Sequence, residues 1–214
     1  MDVRPLRHCS QQTIDSLLGS VALYKQVYQL DPAQFDVLTH NSQLVEVKLG
    51  EIVIESGQID TWIYFLLRGQ LVVYAGEPAV RRVNTITPGE IFGDMAVLLD
   101  LPRSATVIAD VRTKVSAVVR TDFSIFGEPQ DDEIINLPVK LLFYRAMVHN
   151  LRWKLEVYRS RFPSRSCAAD HQKVRLYAGA RDTLAELLSL DLQARQLAEL
   201  LNGWNLALTQ ADDL

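Results

Sequence analysis

The chain has 214 residues, 48% hydrophobic and 22% charged, a balance that suits a globular protein and excludes a disordered or fibrous one. A formal net charge of -4 excludes any global attraction to nucleic acid or anionic lipid, leaving only a local patch for such binding. No apolar run approaches the ~20 residues that span a bilayer, and Met1–Leu6, with Asp2, Arg4 and Pro5, lacks the apolar core of a signal peptide.

Cys9 and Cys167 lie far apart and outside any metal or disulfide spacing, so two free thiols and a cytoplasmic location are expected. Residues 1–43 read as an N-terminal helical segment. Leu17, Leu18, Val21, Tyr24 and Tyr28 recur at helical spacing, and Asp31-Pro32 supplies an N-cap with proline at the first helical position. Phe35 and Leu38 are the expected buried residues of that second helix.

From Leu44 to about Phe126 the pattern changes to short β-branched runs broken by glycine or proline. The predicted strands are Val45–Leu49, Ile52–Ile54, Trp62–Leu67, Gln70–Tyr74, Val83–Ile86, Ala105–Ile108 and Lys114–Val119. Gly50, Gly57, Gly69, Gly76 with Pro78, and Pro88-Gly89 punctuate them, which predicts a compact antiparallel sandwich or barrel. Gly93–Leu99 is apolar and poor in strand formers, and reads as one short inserted helix.

Leu137, Leu141, Tyr144, Val148, Leu151, Leu155, Tyr158 and Phe162 then alternate at spacings of four and three. This stripe predicts a long helix over 137–162 and favours a coiled-coil seam between two copies; a helix packed on its own domain is the alternative. Arg145, Arg152, Lys154, Arg159, Arg161 and Arg165 cluster along this helix and the linker after it. They suit a solvated face, or a docking surface for an acidic partner or for the chain's own acidic tail. Residues 163–214 read as a linker opened by Pro163-Ser164 and running to Ala169, then a tail of two short helices with Leu184, Leu187, Leu188, Leu197, Leu200 and Leu201 as its apolar residues.

The run Pro88 to Ala105 carries the chemistry. A helix starting near Gly93 presents free N–H groups and its positive dipole end to an anion, and a glycine there allows close backbone approach. Arg103 follows the helix and can fold back on the same anion, its fork matching two phosphate oxygens. Asp94 is an acceptor suited to a sugar hydroxyl. The same residues also admit plainer roles, Arg103 in a surface salt bridge and Asp94 as a helix cap.

Phe92-Gly93-Asp94-Met95-Ala96-Val97-Leu98, followed by Arg103-Ser104-Ala105, resembles the phosphate-binding cassette of the cyclic-nucleotide-binding domain family, which includes the catabolite activator protein and the regulatory subunits of protein kinase A. Leu49-Gly50-Glu51, Glu55-Ser56-Gly57 and Ile63–Leu71 resemble that family's early strands, and Tyr24–Leu38 its helical lead-in, so that roughly 24–160 is covered. The resemblance implies an α+β fold: an antiparallel, jelly-roll-like β-roll over 44–136 with flanking helices and a long C-terminal helix. It implies ligand contacts from Gly93, Asp94, Met95, Ala96, Arg103, Ser104 and Ala105, with Arg103 on the exocyclic phosphate and Asp94 where the family has a glutamate for the ribose 2′-OH. That aspartate is one methylene short of the family pattern. The expected ligand is cAMP ahead of cGMP, with a base cap from the Arg145–Asn150 stretch.

No catalytic or metal constellation is visible: His8, His40, His149 and His171 are in no ligand spacing, and no nucleophile elbow or Walker loop occurs. The implied protein is not an enzyme but a sensor that signals through an unidentified protein partner. A fold retained as a dimerisation scaffold is the alternative, and an atypical transcriptional regulator the second. Ala194–Gly203 faintly resembles the start of a helix-turn-helix, but Trp204–Leu214 contains no Arg or Lys and ends acidic, which makes DNA an unsuitable partner.

Overall fold

The structure, a computed structural model, describes residues 1–19, 21–75, 81–110, 115–163 and 170–210. Gly76, Pro78, Lys114, the linker residues 164–169 with Arg165 and Cys167, and the acidic end at Asp212-Asp213 lie outside the described residues. In chain order the elements are β1 (Asp2–Pro5), α1 (Gln11–Leu18), α2 (Ala22–Leu30), α3 (Pro32–His40), β2 (Ser42–Lys48), β3 (Ile52–Ile54), β4 (Trp62–Arg68), β5 (Leu71–Ala75), β6 (Arg81–Ile86), β7 (Ile91–Phe92), α4 (Asp94–Leu99), β8 (Thr106–Ala109), β9 (Val115–Asp122), α5 (Leu137–Arg161) and α6 (Leu184–Gln210).

The strands form two antiparallel sheets, ordered β1-β2-β9-β4-β7 and β3-β8-β5-β6, closed face to face as a roll. β4 explains why the sequence there is continuously apolar rather than alternating. Tyr64 and Leu66 point into the roll with Val45, Val47, Phe92 and Val118, whereas Ile63, Phe65 and Leu67 point outward to the helices. A strand covered on both faces needs apolar residues at every position. The N-terminal segment is not wholly helical as expected, since β1 pairs with the edge of β2 (Val3 against Val45). Pro5 has no N–H to give a ladder, and an edge position tolerates that. So short a strand leaves no periodic signal.

Asp31 caps α3 as predicted, its Oδ1 accepting from the N–H groups of Ala33 and Gln34 at 3.0 and 3.1 Å. Asn136 caps α5 in the same way, accepting from Val139 N–H at 3.2 Å. Its amide also donates to Asp31 at 2.9 Å, so the two helix starts are tied together. Tyr24 fastens the helices to the sheet: its buried hydroxyl meets Ser42 and Thr121, and burial pushes its pKa up.

Two expectations need correction here. The stripe along α5, read as a homodimer seam, is spent inside the chain: Leu141, Tyr144, Leu151, Leu155 and Tyr158 are buried together with Val139, Phe143 and Met147, which lie off the stripe. The helix is sandwiched between the roll and α6, so its buried surface is wider than a coiled-coil seam. The tail is also not two short helices: after a single 3-10 turn at Asp170–Lys173 comes one long helix, α6, which runs unbroken through Asn202-Gly203, so no helix-turn-helix exists over the described residues. A helix this long is held by its packed face against α5 and α4, which overrides two poor helix formers. Cys9 is a free, half-buried thiol.

The start of α6 is pinned electrostatically. Arg145 grips both oxygens of Glu186, Nε at 2.9 Å and Nη2 at 2.7 Å, and Nη2 also reaches Asp182 at 2.8 Å. Thr183 caps the helix by accepting from Glu186 N–H at 3.2 Å. The hydrogen bonds from Arg145 hold the Glu186 carboxyl below the usual carboxylate range. A depressed carboxylate stabilises the fold above its unfolded pKa and loses that contribution as pH falls through the folded value. Denaturation midpoints should therefore fall as pH drops from neutral to below about 4, and Glu186→Gln should flatten part of that fall. Equal acid slopes for the two proteins would contradict this account of the α5–α6 clasp.

Candidate functional site

α4 sits between β7 and β8 and packs on α6, so the loop predicted to carry the chemistry lies at the mouth of the roll. Gly93, Asp94, Met95, Ala96, Arg103, Ser104 and Ala105 all border one cavity of about 90 Å³. Roll residues Ile54, Val73, Asn84, Ile86, Phe92 and Val107 make its floor and walls, and Lys154 and Tyr158 of α5 with Leu201 and Asn205 of α6 make its roof. These seven residues thus lie together in space. The cavity is covered by Lys154 and Tyr158 further along α5 and by α6; of the stretch expected to cap a base, Arg145 faces the start of α6 and Asn150 holds Asp94.

Gly93 precedes α4 with φ +79°, a left-handed conformation that costs other residues roughly 1–2 kcal/mol. A Cβ there would also stand 2.9 Å from both Arg103 Nη1 and the Tyr64 ring. The glycine thus makes room for the guanidinium as well as for the turn.

Arg103 is only 3% exposed, so its charge has to be met inside the protein. Nη2 donates to Asp60 and, at 2.6 Å, to the Trp62 carbonyl. Nε reaches the other Asp60 oxygen at 3.4 Å, and Nη1 donates to the Gly93 carbonyl. The guanidinium lies 5.6 Å from the Tyr64 ring centroid, and Tyr64 in turn stacks on Phe92 at 5.1 Å. Arg103 does form a salt bridge, but with its guanidinium buried and only the Asp60 side partly exposed, rather than on the open surface. Asp60 went unnoticed in the sequence, since nothing local in the stretch after Gly57 marks it as the partner of Arg103.

Asp94 is buried at 1% exposure and is not a helix cap. One oxygen accepts from Lys154 Nζ at 2.7 Å and the other from Asn150 Nδ2 at 2.9 Å. Asn150 also donates to the Ile91 carbonyl at 2.9 Å, so a single amide ties α5 to both sides of the cassette. The shorter side chain is explained by this geometry: the carboxylate serves α5 directly. Lys154 therefore belongs to the site rather than to a solvated basic face. Most of that basic cluster is likewise engaged within the chain, with Arg152 on the carbonyls of His171 and Val174 and Arg161 on that of Val83.

Ser104 accepts from Asn205 Nδ2 at 3.0 Å, and Tyr158 donates to Asn205 Oδ1 at 3.0 Å. Burial pushes the Tyr158 hydroxyl up to about 12, so it remains a donor across the physiological range. Trp204 packs beside this chain of contacts, edge-on to Tyr158 at 5.9 Å and tilted against Phe162 at 6.1 Å. The site as a whole offers a guanidinium, an ammonium and a carboxylate above an apolar roll interior. That composition suits a small anionic ligand with an apolar or aromatic body.

Residues 44–127 match the family model described as "Cyclic nucleotide-binding domain". The chain is 30% identical over 105 residues to a cGMP-dependent protein kinase of Plasmodium berghei, covering 49% of this chain and 12% of that protein. It is 37% identical over 107 residues to a cAMP-dependent protein kinase regulatory subunit of Yarrowia lipolytica, covering 49% of this chain and 27% of that one. The chain thus spans less than a third of the length of either relative. The sensor domain of the transcriptional regulator DNR from Pseudomonas aeruginosa shares the fold, with a TM-score of 0.51 and 21% identity over 73% of this chain and 95% of that domain.

The ion pair across α4 and α5 carries its own prediction. Lys154→Met leaves Asp94 buried with only Asn150 as partner, which should cost about 3 kcal/mol in chemical denaturation, the scale of breaking a buried pair. A loss below about 1 kcal/mol, the range of an exposed pair, would mean that Asp94 is not held as described.

Proposed function

We propose that this chain, whose residues 44–127 match the cyclic nucleotide-binding domain model, is a non-catalytic sensor that binds a cyclic mononucleotide, cAMP ahead of cGMP, in the cavity between the roll and α5–α6. The observation that supports this most is the buried Arg103 beside the start of α4. It is a cation sheltered from water, and an entering phosphate would meet it by displacing one of its internal acceptors, the Gly93 carbonyl.

The phosphate would take Arg103 Nη1 in exchange for the Gly93 carbonyl, together with the Ser104 hydroxyl and the amides that open α4. Asp60 would keep hold of Nε and Nη2, fixing the plane of the fork throughout. The apolar floor of Val73, Ile86 and Val107 would receive the sugar and base. Asp94 would meet the ribose only by sharing or releasing Lys154, which makes the sugar side of the site the one that differs from the family pattern.

Signal output would follow from the helices. The segment between the roll and α5 is fastened by the buried Lys140, which donates to the carbonyls of Glu128, at 2.6 Å, and Asp131. Movement of α5 on ligand capture would be a population shift between two helix placements, read by a protein partner. No helix among the described residues is long and apolar enough to cross a membrane. The Plasmodium berghei and Yarrowia lipolytica relatives are a cGMP-dependent protein kinase and a cAMP-dependent protein kinase regulatory subunit, which favours a protein output over DNA. The Asp94–Lys154 pair favours one second reading, a fold that keeps the roll but has given up the nucleotide.

Titration calorimetry with cAMP and cGMP separates these readings. Binding at or below the micromolar range supports the sensor, and no heat up to millimolar ligand contradicts it. Arg103→Lys keeps the buried charge but loses the fork. It should weaken binding by about 1.5–3 kcal/mol, the scale of a charged hydrogen bond, and unchanged affinity would remove Arg103 from the ligand site.

A further inference from the structure

The roof of the cavity is made by the chain itself. A site of about 90 Å³ is far smaller than the roughly 300–1,000 Å³ of small-molecule pockets. Part of what closes it comes from α6. Leu201 lines the cavity, Asn205 occupies Ser104 at the phosphate end, and Trp204 is buried between Tyr158 and Phe162. These three residues lie within two turns of one helix.

α6 is not held uniformly. Its first part is clasped by Arg145 and buries Leu187, Ala194, Leu197 and Ala198 completely, and Arg195 Nη1 donates to the Leu98 carbonyl at 2.6 Å. Immediately before Trp204 comes Asn202-Gly203, two poor helix formers in succession. A Cβ on Gly203 would meet nothing within 4 Å, so no close packing requires glycine there. The helix is thus weakest at the junction between its anchored part and the part that closes the cavity.

We propose that the turns of α6 from Leu201 onward are a built-in plug of the nucleotide cavity, displaced by unwinding at Asn202-Gly203 when ligand enters. This rests on the cavity being the cyclic-nucleotide site. Ligand and plug compete for Ser104 and for the space beneath Tyr158, so ligand affinity measures the difference between them. Release of Trp204 and Asn205 is then the event that makes the tail available to a partner.

Three full-length proteins test the plug with cAMP as the probe: wild type, Asn205→Ala and Gly203→Ala. Asn205→Ala removes the contact to Ser104 and should tighten cAMP binding several-fold. Gly203→Ala strengthens the helix across the junction and should weaken binding roughly 2- to 5-fold, the range set by a glycine-to-alanine change in a helix interior. Amide hydrogen exchange over 201–207 in wild type should speed up on saturation with cAMP. Binding detected only in Asn205→Ala would also support the plug. Slower exchange over 201–207 with tighter binding by Gly203→Ala would overturn it, because α6 would then be a lid that completes the site. Equal affinities in all three proteins would overturn the plug while leaving the nucleotide site in place. Absence of binding in all three would instead remove the nucleotide site, and the plug with it.

Discussion

A guanidinium kept almost wholly from water has to be neutralised where it lies, and the site is organised around that requirement at Arg103. Asp60 supplies the countercharge, and the carbonyls of Gly93 and Trp62 take the remaining directional bonds. Gly93 has no side chain because Arg103 and Tyr64 fill the space one would need. The turn into α4, the Tyr64–Phe92 ring stack and the loop that carries Asp60 all meet at this one cation. An anionic ligand would enter a site whose charge is already balanced, so it has to compete with internal partners rather than fill a bare positive hole.

The same self-sufficiency runs through the rest of the cavity. Asp94 is satisfied by Lys154 and Asn150, and Ser104 by Asn205, whose carbonyl is in turn met by Tyr158. Buried polar groups have to be paired in any resting state, and here α5 and α6 provide the pairs. On the proposed reading, a ligand would compete for the same atoms that close the cavity, and its capture would then act on the placement of α5 and α6.

The roll was legible in the sequence because its turns are marked by glycine and proline and its strands by β-branched runs. The cassette was legible because Phe92–Leu98 and Arg103–Ala105 keep a fixed order and spacing. Asp31 and Pro163 marked helix limits through simple chemistry. Other features depend on tertiary contact and leave no local signal. β1 is too short to show a period, and the stripe on α5 looked like a seam because spacing cannot distinguish a second copy from α6. Asp60, Asn150 and Asn205 reach the site from 34 residues before Asp94, 56 after it and 111 after it, so no motif spacing ties them to the cassette. Lys154 was visible as a charge, but only packing shows that it turns inward to Asp94 rather than out to solvent.

The central claim is that Arg103 and the start of α4 receive a cyclic phosphate. A crystal structure of the chain soaked or grown with cAMP tests it most directly. The phosphate should lie within hydrogen-bonding distance of Arg103 Nη1, Ser104 Oγ and the backbone N–H groups that open α4, with Asp60 still on the guanidinium. A nucleotide bound elsewhere, or a cavity still closed by Leu201 and Asn205 at saturating cAMP, would contradict it.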